Sequence, residues 1–156
     1  MKSPIKILVC TSFIANLLYG NITQNYLFET IDISDGLSQS SVMSITKDRF
    51  GFMWFGTEDG LDRYDGIAFQ KFRYNSQDST TINSSSIMAS ITDQHGNLWF
   101  GTYKSGVSKY IYESEQFTHY PVNSADSLPH QSGSTYALLE DQKGYIWLGT
   151  EEAGLF

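Results

Sequence analysis

The chain has 156 residues, 40% of them hydrophobic and 15% aromatic, and a formal net charge of −7. Three arginines, Arg49, Arg63 and Arg73, are too few and too local to build a basic groove, so nucleic acid is not an expected partner. The single cysteine, Cys10, leaves the chain without an internal disulfide, and stability has to come from packing.

The N-terminus opens on Lys2 and Lys6, continues through an apolar stretch from Ile7 to Leu18 and reaches Tyr19 and Gly20. That layout reads as a secretory signal, residues 1–20, because the apolar run is shorter than a spanning helix needs. A lipoprotein role for Cys10 fits poorly, since the bulky Val9 precedes it. Residues 21–40 then hold an alternating segment, Tyr26 to Ile33, expected to form a strand without a partner in the available sequence, followed by a lead-in.

From residue 41 to 156 one pattern recurs three times: Asp-x-x-Gly-x-x-Trp-[Phe/Leu]-Gly-Thr, followed a few residues later by another Gly. The copies are Asp48, Gly51, Trp54, Gly56 and Thr57; Asp93, Gly96, Trp99, Gly101 and Thr102; and Asp141, Gly144, Trp147, Gly149 and Thr150. Their starts lie 45 and 48 residues apart. A period of roughly 40 to 50 residues, with short apolar runs and no helical periodicity, indicates four-stranded propeller blades.

Each unit begins with a short apolar strand at Val42, Ile87 or Tyr136, expected to lie innermost with both faces buried. Asp at the first and Gly at the fourth position of the next turn suit a type I turn and imply a hairpin. In the first unit the second strand runs from Phe52 to Thr57, the third from Gly60 to Asp65 and the fourth from Ala68 to Tyr74. The polar stretches 75–86 and 123–134 read as loops between blades.

The units span about 41–80, 86–125 and 134–156. The expected fold is therefore all-β: two complete four-stranded antiparallel blades, part of a third, and the unpaired N-terminal strand. A ring of six to eight blades would need roughly 270 to 380 residues. The chain reads as a segment of a longer propeller, its open faces to be covered by further blades or by another copy of the chain.

The residues that could carry chemistry are better explained structurally. A tryptophan at one place in every repeat is first a packing device. One turn carboxylate per unit lacks the clustered oxygens calcium wants. Glu58-Asp59 and Glu151-Glu152 occupy the same loop, where the second unit has Tyr103, Lys104 and Ser105. Adjacent acids point apart and do not make the convergent pair that glycoside hydrolysis requires. His95, His119 and His130 share no metal-ligand spacing and read as surface histidines. Sialidase-type turns place Ser two residues before the Asp, where this chain has Thr46, Ile91 and Leu139. No catalytic, cofactor or metal residue is expected.

The strings Asp35-Gly-Leu-Ser-Gln-Ser-Ser-Val42, Asp48 through Thr57, Asp59 through Gly66, Gly96 through Thr102 and Gly144 through Thr150 resemble the two-component regulator propellers. They are similar in particular to the periplasmic sensors of Bacteroidetes-type hybrid two-component systems. That resemblance implies a non-enzymatic, exported sensor segment, responding to carbohydrate and, in full-length relatives, attached to the inner membrane and driving a histidine kinase phosphorelay. No kinase, ATP-binding or receiver residues occur in this chain. An exported scaffold propeller without a signalling domain is the alternative.

Overall fold

Among the described residues, alternation and turn signals produce ten strands, which the computed structural model arranges in three antiparallel sheets. The described residues are 27–122, 133–151 and 153–156. They contain no helix, so none long and apolar enough to cross a membrane. The chain divides at Thr30 into two units, and residues 31–156 hold all the strands. The segment read as the signal, 1–20, lies outside the described residues.

The first sheet runs in chain order through β1 (Val42–Lys47), β2 (Met53–Thr57), β3 (Gly60–Tyr64) and β4 (Phe69–Phe72). The second repeats it with β5 (Ile87–Thr92), β6 (Leu98–Thr102), β7 (Gly106–Ile111) and β8 (Gln116–Tyr120). The third holds β9 (Thr135–Glu140) and β10 (Ile146–Thr150). Residues 154–156 add a further rung, Leu148 and Phe156 exchanging backbone bonds of 2.8 and 3.0 Å. Two complete blades and part of a third are thus in place.

First strands of neighbouring repeats lie side by side. Thr46 Oγ1 and Thr92 Oγ1 are 3.0 Å apart, and the Thr92 hydroxyl donates to the Lys47 carbonyl at 2.6 Å. The inner strands are less buried than expected, however. In β1 every second residue is exposed, including Met43 and Ile45. Only one face of that strand meets the next repeat.

The main core fills the seam between the first two sheets. Trp54, Leu61 and Phe72 face Leu98, Phe100, Tyr110 and Phe117, with the Trp54 ring 4.9 Å from Tyr110 and 5.6 Å from Phe100. Arg63 lies along the edge of this cluster, paired with Glu115 at 3.0 Å and donating to the Tyr110 hydroxyl at 3.3 Å. Burial, then the Glu115 charge, push the Tyr110 phenol up to about 12.

One expectation fails. The segment read as an N-terminal strand is not one: Tyr26 lies outside the described residues, and 27–33 form no strand. Leu27, Phe28, Ile31 and Ile33 are exposed, and the Asp32 carboxylate accepts the Ser34 amide and hydroxyl to make a turn. The polar stretch 75–86 is a loop between the first two sheets, as expected, and it also packs. Its Ile82 is completely buried, and its Asn83 accepts a 2.7 Å bond from the Ser108 hydroxyl on β7. Leu37 and Ser38 do the same ahead of the first sheet, Ser38 donating twice at 2.7 Å to the buried Asp62 on β3. The first and second repeats are therefore each sealed by a crossing segment that begins before the first strand.

Candidate ligand-binding face

Every repeat is closed by the same pair of side chains. In the first, Asp48 Oδ1 accepts the amides of Phe50 and Phe52 at 2.9 and 3.0 Å, and Oδ2 accepts the Trp54 indole at 3.0 Å. Asp93 takes His95, Asn97 and Trp99 at 2.9, 2.8 and 2.9 Å, and Asp141 takes Lys143, Tyr145 and Trp147 at 2.8, 3.0 and 3.0 Å. The turn glycines Gly51, Gly96 and Gly144 have φ of 96°, 77° and 83°, a region that costs other residues strain. Both oxygens of each carboxylate are spent on the hairpin, so the Asp serves the turn and the Trp together.

The rest of the motif fits the same logic. Thr57, Thr102 and Thr150 donate their hydroxyls to the carbonyls of Gly60, Gly106 and Gly154 at 2.8, 3.0 and 2.7 Å, closing the next loop. Gly56 and Gly101 leave room for the neighbouring repeat: a Cβ on Gly101 would stand 2.7 Å from the Thr135 carbonyl oxygen. Burial of the three indoles is graded, from Trp54, fully buried, through Trp99, half-buried, to Trp147, 41% exposed. Their bonding is equivalent and their cover is not.

Burial by itself would raise the Asp93 carboxyl, but bonds from the Trp99 indole, Asn97 and the His95 amide outweigh it and hold it below the usual carboxylate range. The Asp141 carboxyl is lowered too, chiefly by Trp147. A depressed folded value contributes stability above the unfolded value of about 4, lost as pH falls through the folded one. The urea midpoint should therefore drop between about pH 6 and about pH 3, and Asp93→Asn should narrow that drop. An unchanged drop in the variant would remove Asp93 from the cause.

The loop that follows each motif threonine starts at Glu58, Tyr103 or Glu151, and the crossing segment pins it. The Tyr103 amide donates to the Ser86 carbonyl at 3.0 Å and the Glu151 amide to the Ser134 carbonyl at 3.1 Å. Glu58 is held differently, by reciprocal 3.3 Å bonds with the Gln39 side chain. Tyr136, at the start of β9, donates its hydroxyl to Glu151 Oε2 at 3.2 Å, and the Lys104 amide donates to Ser134 Oγ at 3.2 Å. Lys104 Nζ lies 5.0 Å from the Tyr103 ring centre. Side chains of the second and third repeats thus meet on one fixed surface. The sequence flagged these loops for their acids; it gave no sign of Tyr136, which reads as an ordinary strand residue.

The remaining candidates are engaged elsewhere. Asp59 pairs with Arg73 at 2.8 Å, away from the Gln39 contact of Glu58, and the Glu152 side chain is outside the described residues, as is His130. His95 is exposed. His119 is not a free surface group, for its ring nitrogens lie 3.1 Å from Ser108 Oγ and 3.1 Å from the Ser79 carbonyl. Arg49 stacks on Tyr112, 4.4 Å from the ring centre. A cleft of about 270 Å³ lies at the rim between β4, β8 and the crossing segment. Of its charged lining, Arg73, Glu115 and Asp78 are bonded to Asp59, Arg63 and Thr80. Among the described residues no three His, Cys, Asp or Glu side chains come together as a metal site.

Comparison with known proteins places this geometry. Residues 36–59, 81–104 and 129–152 match the two component regulator propeller family. These stretches open five residues ahead of the units read at 41, 86 and 134, and so take in the buried Leu37 and Ile82. A histidine kinase from Formosa agariphila is 48% identical over 59 residues, which are 38% of this chain and 4% of that protein. The extracellular domain of one hybrid two component system of B. thetaiotaomicron superposes with a TM-score of 0.71 at 28% identity, covering 84% of this chain and 18% of that one. A second such domain from the same organism gives 0.65 at 28% identity, over 85% and 18%. The chain spans less than a fifth of any of these relatives. Through these three stretches, one in each repeat, the chain is similar to the two component regulator propeller family.

Proposed function

We propose that this chain is a non-catalytic sensing segment of an exported propeller, periplasmic and belonging to a hybrid two-component signalling protein, with carbohydrate as its ligand. The observation that carries the reading is the likeness, over more than four-fifths of the chain, to extracellular domains of hybrid two component systems. The loop face supports it: short loops pinned by backbone bonds present side chains that need little ordering when a ligand arrives. Glu58 and Asp59 turn to separate partners, an arrangement suited to binding and not to acid–base work on a glycosidic bond.

The test is calorimetric titration of the protein with neutral and acidic oligosaccharides, followed by chromatography of the recovered sugar. Saturable binding with the sugar returned intact is the expected result. Cleaved product, or no heat with any sugar, overturns the reading.

A further inference from the structure

The loop face is not uniform. Where the first repeat has Met43 and the second Met88 near the start of the inner strand, the third has Tyr136; where the first and third loops start on glutamate, the second starts on Tyr103. The two substitutions fall in adjoining repeats, and the seam between β6 and β9 sets them near each other: Gly101 packs on Thr135, and the Lys104 amide donates to Ser134 Oγ at 3.2 Å. Tyr103 is 39% exposed and Tyr136 44%, enough to offer ring surface while their backbones stay hydrogen-bonded. Lys104 occupies one face of the Tyr103 ring.

We propose that Tyr103 and Tyr136 form a subsite for one uncharged sugar ring, with Glu151 accepting hydrogen bonds from its hydroxyls. This rests on the carbohydrate-sensing reading above and adds the place and the charge class of the ligand. An aromatic ring supplies apolar surface at small entropic cost, and the carboxylate beside it supplies directional acceptors, the combination a ring with one C–H-rich face and several hydroxyls needs. Glu151 holds Tyr136 through a single oxygen, which leaves lone pairs for a ligand. The charge class follows from the surroundings: Glu58 and Glu151 outnumber Lys104 on this face of a chain with net charge −7, so a uronate or sulfated ring would approach against a net like charge.

The test uses the protein with xylotetraose and laminaritetraose as neutral probes and tetragalacturonate as the charged one. Tyr136→Ala is expected to weaken the neutral probe that binds by about tenfold, with Tyr103→Ala acting in the same direction. Tyr136→Phe, which keeps the ring and releases Glu151, should retain most of the affinity. Unfolding midpoints of the variants are measured alongside, so that loss of binding is separated from loss of fold. If the protein binds a neutral probe and both alanine variants bind it equally well, the subsite is wrong and the sensing reading stands. Preference for tetragalacturonate also defeats the subsite alone. Binding of none of the three overturns the subsite, while the wider titration described above decides the reading itself.

Discussion

Trp54→Ala will lower the stability of the protein by about 3–5 kcal/mol, the range for deleting a large aromatic from a closed core. Trp54 is fully buried and touches Phe72, Phe100 and Tyr110, so its loss opens the first seam and also leaves Asp48 Oδ2 without its indole donor. Trp147→Ala removes the same hydrogen bond from the third repeat, but its ring is 41% exposed, and the expected loss is about 1 kcal/mol. Urea unfolding of the two variants side by side checks this. Equal losses would mean that the indole bond, and not burial in the seam, carries the energy.

Gly101→Ala is expected to be nearly as damaging, by a steric route. A methyl at that position would sit 2.7 Å from the Thr135 carbonyl oxygen and 2.9 Å from its Cγ2, and a backbone oxygen in a strand cannot rotate away. The second and third repeats would have to part, at a cost of about 3 kcal/mol for forcing volume into a packed interface. Gly149→Ala is the control: its nearest neighbour is the Ala137 Cβ of its own sheet at 3.2 Å, which can yield slightly, and the change should be small. If the two alanines cost the same, inter-repeat approach does not explain the motif glycine.

Much of this was visible in the residues because the repeat supplies its own controls. Asp, Gly and Trp at fixed offsets three times over define a hairpin with its turn and its buried ring, and the strand order follows. The packing of the crossing segments is not legible because their composition is polar. A single apolar residue, Ile82 or Leu37, seals each, and one isoleucine among serines and threonines carries no periodicity to read. The Asp–Trp bond escaped for a different reason. Each partner already had a sufficient local explanation, turn capping for one and core packing for the other, and only three-dimensional coordinates show the carboxylate doing both. The loop face was half legible: the acids drew attention by pairing in sequence, whereas Tyr136 joins them only through the closure of β9 against β10.

The Asp–Trp hairpin also bears on how such a chain forms and multiplies. Its bonds reach no further than six residues along the chain, and they are as short in the third repeat, where Trp147 is 41% exposed, as in the first, where Trp54 is sealed. Shape is thus fixed locally and early in folding, while most of the stability arrives later, when a neighbour docks. A duplicated stretch of gene would bring with it a hairpin already able to close, needing from its new surroundings only a flat apolar partner and a glycine where the backbones cross. Lengthening an array of this kind asks for no new design at the level of the single unit.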